Sequence, residues 1–220
     1  MFRLVTAAAL LIALMGLVVG LQPAAAASKV VALVIGNEAP YNGLDGSELN
    51  AKLKDLMDNL FRYGHESMIL EGANLSNEGL LARIRAFESG LSDAEVAIFC
   101  YVGFGAHSMD GDSYLVPQGW DGSRAADLVS IRSVLDRMRA NDRAKSLVFL
   151  DAVQPRTSPG WRVPDIRPGL GSLSREADPE KLQIAFVDVV PGPGSSAGLL
   201  TGAMVGRLQP DRIKLPQLIM

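Results

Sequence analysis

Ala94–Gly105 reads AEVAIFCYVGFG. Inside it, Val96–Val102 is an apolar run without alternation of polar and apolar residues. A strand with one wet face alternates, whereas a strand covered on both faces does not. The run predicts the central buried strand of an α/β sheet, leading into a functional corner at Phe104 and Gly105. Lys29–Gly36 (KVVALVIG) has the same character, Ser146–Asp151 (SLVFLD) is a second apolar strand, and Leu182–Val190 (LQIAFVDVV) reads as a later one. Glu66–Leu70 (ESMIL) reads as a further strand.

Helical patterns separate these runs. Asp45 and Glu48 form a capping-box pair ahead of Leu49, Leu53, Leu56 and Leu60, and Gly64 closes that helix. Ser76 caps a helix whose inward face is Leu80, Leu81, Ile84 and Phe87, ending at Gly90. Ser130 caps another, with Ile131, Val134, Leu135 and Met138 inward. Ser196–Gly206 reads as a last short helix. Strands followed in series by helices imply parallel pairing with right-handed crossovers, and a site at the carboxyl ends of the strands. Asp110-Gly111 marks a turn before a short strand at Tyr114–Val116, a small hairpin at the mouth of the sheet. Residues 152–181 hold five prolines and little periodicity, and read as one long loop.

The 220 residues are 48% apolar and 20% charged, with a formal net charge of −3. No basic stripe points to nucleic acid. Cys100 is the one cysteine, so no intrachain disulfide forms, and its place in an apolar run reads as packing. His65 and His107 are the only histidines, which excludes a zinc cluster of the usual spacing. No cofactor is expected. At the N-terminus, Arg3 precedes the apolar run Leu4–Leu21, and Ala25-Ala26-Ala27 offers a small-residue cleavage site before Ser28. Residues 1–27 read as a signal peptide, with an uncleaved anchor as the alternative, and 28–220 as one domain. The expected location is the bacterial periplasm or the medium. Inner-membrane attachment follows only if 4–21 stays uncleaved.

Several segments together resemble the caspase-like cysteine peptidases, in particular the bacterial metacaspase-like p20 domains. They are ALVIGN (Ala32–Asn37), Leu44–Leu56 with Gly64, AEVAIFCYVGFG, DSYLVP (Asp112–Pro117), LVFLDAV (Leu147–Val153) and VVPG (Val189–Gly192). The resemblance implies a three-layer sandwich with a mostly parallel central sheet flanked by helices. In that family a histidine and a cysteine on neighbouring strand ends form the catalytic dyad. The matching positions are Phe104 and Val153. A phenyl ring accepts no proton and an isopropyl group attacks no carbonyl, so the dyad chemistry is missing. The family's acid two residues before the cysteine survives as Asp151, readable as a ligand-facing acid or as a strand-end cap. Gln154 stands where arginine is common, and Leu49-Asn50-Ala51 replaces a more acidic first-helix motif.

The expectation is a pseudopeptidase that binds a peptide or partner protein in a degenerate cleft formed by Phe104, Val153, Asp151, Gln154, Trp120 and Trp161. Two alternatives stand beside it. One is a hydrolase of basic specificity with an unrecognised nucleophile, for which Ser108, Ser158 and Ser172 lie on mouth loops. The other is a plain scaffold. His107 is expected on a solvated loop. Asp110 and Asp112 read as turn residues, too few for a calcium site.

Overall fold

A computed structural model describes residues 29–37, 55, 66–154, 161–173 and 180–189. Five parallel strands form the main sheet, in the order β2-β1-β3-β6-β8. They are β1 (Lys29–Gly36), β2 (Glu66–Ala73), β3 (Val96–Ser108), β6 (Lys145–Val153) and β8 (Leu182–Val189). β3 is the central strand, as its composition predicts. It outruns the expected end at Val102. From Gly105 onward it pairs antiparallel with β4 (Ser113–Leu115) on one side. On the other side it pairs with β7 (Ile166–Pro168). β5 (Val129–Ser130) completes this small sheet by pairing with β4.

Both faces of the central strands β1, β3 and β6 are buried, the physical reason those strands do not alternate. On one face, Val31, Leu33 and Ile35 of β1, Ala97, Phe99 and Tyr101 of β3, and Val148, Leu150 and Ala152 of β6 belong to one core. Two helices contribute to the same core, α1 (Asn77–Gly90) and α2 (Ile131–Ala140). On the opposite face, Val30, Ala32, Val34, Ile98, Cys100, Val102 and Leu147 are all buried. The helix expected at 49–60 lies outside the described residues apart from Asp55, which is helical, and the one expected at 196–206 lies outside them. None of the described helices is long and apolar enough to cross a membrane, and the apolar run 4–21 is outside the described residues.

Four local expectations need correction. β2 runs past Leu70, its expected end, through Gly72 to Ala73, because it keeps register with β1 to its last residue. Leu81 is 37% exposed. It sits about 100° round the helix from Leu80, off the stripe that Leu80, Ile84 and Phe87 bury. Ser76 does cap α1, accepting from the Gly79 amide at 3.3 Å, but Ser130 makes no side-chain cap at α2. Ser130 is instead held in β5 opposite Tyr114. The fourth correction concerns the long loop. Its Ile166–Pro168 segment is a strand, because β3 extends far enough to offer it a partner.

A buried polar network ties the strand ends together. The Tyr101 hydroxyl lies 2.9 Å from the Phe104 carbonyl oxygen and 3.2 Å from that of Val116. The Asn37 amide donates to the carbonyls of Leu75 and Val116 and accepts from the Leu75 amide. Tyr101→Phe is expected to lower stability by about 1–3 kcal/mol in urea unfolding, since it leaves the buried Phe104 carbonyl without that donor. No loss would show that the hydroxyl contributes nothing there.

Candidate functional site

The carboxyl ends of β3 and β6 meet where a parallel sheet places its site. Register sets Val102 opposite Asp151, Gly103 opposite Ala152, and Phe104 opposite Val153. The two positions that the sequence resemblance matches to a base and a nucleophile are thus direct cross-strand partners.

Phe104 is 7% exposed. It belongs to a second, smaller apolar cluster with Ala106, Val116, Leu128 and Ile166. Tyr114, Trp120, Trp161 and Val163 pack against this cluster. The two indoles meet edge to face, their centroids 4.9 Å apart and planes at 82°, a favoured aromatic geometry. Trp120 Nε1 donates to the Arg124 carbonyl at 2.9 Å. The Arg162 amide donates to the Gly122 carbonyl at 2.8 Å. These contacts fasten the loops around 116–128 and 161–166 to the end of β3.

Asp151 and Gln154 stand elsewhere. Asp151 is 2% exposed within β6, paired in register with Val102 and Val187. Gln154 Nε2 donates to Asp188 Oδ2 at 2.6 Å. Gly169 folds over this pair. It has φ +92°, and a Cβ there would fall 2.5 Å from Asp188 Oδ2 and 2.7 Å from Gln154 Nε2. Of the six residues expected in one cleft, Phe104, Trp120 and Trp161 come together, and the Gln154–Asp188 pair forms a separate polar group. Asp188 was not singled out from the sequence. The available signal was a lone carboxylate in the apolar run LQIAFVDVV.

Cys100 is 2% exposed, and burial pushes its thiol up to about 12. Seven residues of continuous strand place His107 about 23 Å farther along β3, which precludes a Cys100–His107 pair. His107 is not on a solvated loop. It lies in β3, half-buried, with Nδ1 3.0 Å from the Gly169 carbonyl oxygen. The reason is again the extended β3, which carries it between β4 and β7. His65 and Ser158 lie outside the described residues. Ser108 Oγ accepts from the Asp112 amide at 3.1 Å, and Ser172 is exposed.

Asp110-Gly111 forms the expected turn, with Gly111 at φ +90°. Asp112 is engaged by Arg132 of α2, whose guanidinium lies 2.6 Å from Oδ1. An arginine therefore already supplies the positive charge beside this carboxylate. Among the described residues, no group of three or more His, Cys, Asp or Glu is arranged to hold a metal ion.

No protein-family model matches the chain, and no curated protein matches it in sequence. Among solved structures it is similar to the Drosophila initiator caspase Dronc, with 11% identity and a TM-score of 0.40. The match covers 56% of this chain and 48% of that one, so the chain spans about half the length of that structure. At this level the likeness assigns no residue role, and the architecture stands on the strand register itself.

Proposed function

We propose that the chain is a non-catalytic descendant of a cysteine peptidase, acting outside the cytoplasm and binding a peptide or partner protein at the strand-end corner. One observation carries this reading. The paired strand-end positions hold Phe104 and Val153, and Phe104 is built into an apolar cluster with Trp120 and Trp161. Covalent acyl transfer needs a nucleophile and a base within about 3 Å of each other. Phenyl and isopropyl groups supply neither. The half-buried indole of Trp161 packs against this cluster, an apolar surface suited to holding a chain without cutting it.

The test is hydrolysis of fluorogenic peptides with arginine, lysine or aspartate before the scissile bond. The purified full chain is assayed with and without calcium, beside a Cys100→Ala variant. Flat traces from both proteins are expected. Turnover that the variant loses would refute the non-catalytic reading, and turnover that it keeps would move the site to a serine.

A further inference from the structure

A cavity of about 360 Å³ opens between the start of α1 and the loop that follows β4. Asn77, Trp120, Asp121, Ser123, Arg124 and Asp127 all reach its wall. Neither Phe104 nor Val153 lines it. Trp120 is half-buried and belongs to both places, packing against the apolar cluster of the corner and lining the cavity.

The wall is held in place before any ligand arrives. Trp120 Nε1 donates to the Arg124 carbonyl, and its ring meets Trp161 edge to face. The Ser123 amide donates to Asp121 Oδ1 at 2.9 Å, and Asn77 Nδ2 donates to the Asp127 carbonyl at 2.7 Å. Groups already fixed lose little freedom on binding. The charges also balance. Arg124 Nε lies 3.8 Å from Asp127 Oδ1. Hydrogen bonds from Ser123 and the charge of Arg162 hold Asp121 below the usual carboxylate range. A cation would find an arginine beside each carboxylate, and an anion would meet both carboxylates. A neutral molecule meets neither obstacle. The carboxylates accept hydrogen bonds only and the guanidinium donates only, so both kinds of group stand in one wall beside an indole.

We propose that this cavity takes a pyranose ring of a neutral glycan. Every sugar hydroxyl both donates and accepts, so one ring donates to a carboxylate while it accepts from a guanidinium. The flat C–H face of the ring packs on an indole, whose own face is electron-rich. An acyclic polyol carries the same hydroxyls without that face. The inference does not depend on the strand-end corner and stands whether or not that corner binds anything.

The experiment uses the full chain carrying Trp161→Phe, which leaves Trp120 as the only tryptophan. Its emission is titrated with maltotriose, cellotriose and triacetylchitotriose, and with the acyclic polyol sorbitol. Saturation by at least one trisaccharide is expected, with none by sorbitol. Arg124→Ala and Asp127→Asn should each weaken that binding about tenfold. Both side chains are open to solvent, at 70% and 40% exposure, so both variants should melt with the parent, and lost binding is then not unfolding. The two variants together identify the ligand class. A cationic ligand would bind more tightly without Arg124, and an anionic one more tightly without the Asp127 charge. Only a neutral ligand is weakened by both. Added salt should leave the titration unchanged, since no net charge is being paired. The proposal fails if no trisaccharide saturates the signal, if sorbitol saturates it as well, or if either variant keeps or gains affinity.

Discussion

Phe104→Ala is expected to lower the stability of the folded chain by about 3–5 kcal/mol, the range for emptying a buried aromatic site. Phe104 is 7% exposed and shares a cluster with Val116, Leu128 and Ile166, which come from three different segments. Removing the ring opens a cavity under Trp120 and Trp161, whose edge-to-face contact rests on that cluster. Urea unfolding reads the loss. Quenching of tryptophan emission by acrylamide should rise in the folded variant as the indoles loosen. A loss below about 1 kcal/mol would place the ring among surface side chains, which rarely matter more than that.

This prediction separates two accounts of the corner. A side chain with no part in packing would be dispensable. A side chain recruited to packing would not. The backbone on either side favours recruitment. A Cβ on Gly103 would fall 2.6 Å from the Tyr101 hydroxyl and 3.0 Å from the Asn37 carbonyl oxygen. One on Gly105 would fall 2.7 Å from Leu170. Position 104 is the one place between them where a side chain fits, and the chain fills it with an apolar ring. The stretch of β3 at this corner presents the anchor of a small core.

The main sheet was legible because burial on both faces writes itself into composition. KVVALVIG, VAIFCYV and SLVFLD could not be half-exposed strands, and all three are central. That Phe104 and Val153 would lie at neighbouring strand ends followed from the resemblance of their segments to caspase-like ones, and the register of β3 with β6 pairs them. What stayed hidden depends on partners distant in sequence. Nothing local in Gly103–Ser108 says that β3 continues, because the strands that pair with it begin at Ser113 and Ile166. The same absence hid β7, a three-residue strand ending in proline. His107 was misplaced for that reason alone. The Gln154–Asp188 bond joins residues 34 apart in sequence. Only the parallel pairing of β6 with β8 brings them to one end of the sheet.

Stability is expected to hold level up to about pH 8.5 and to fall steadily above it. Cys100 lies inside the sheet, and burial pushes its thiol up to about 12. Tyr101 is buried on the other face, and burial raises its phenol despite the hydrogen bonds at Val116 and Asn37, which pull the other way. In the unfolded chain the two groups titrate near their ordinary values, about 8.5 and 10. Above those values the unfolded chain releases protons that the folded chain still holds, so alkali favours unfolding. Each such group contributes about 1.4 kcal/mol per pH unit. The contribution of Cys100 is intact below about pH 8.5 and is lost progressively until the folded thiol itself titrates near 12. By pH 11 the thiol alone removes about 3 kcal/mol, and the phenol adds to that loss. Urea unfolding at pH 7 to 11 measures it, with Cys100→Ala alongside. The variant starts less stable at pH 7, having lost packing, and the gap to the parent should close as pH rises, because only the parent carries the thiol's proton linkage. Parallel curves would mean that the thiol ionises as readily in the folded chain as in the unfolded one, which a residue 2% exposed between β1 and β6 does not permit.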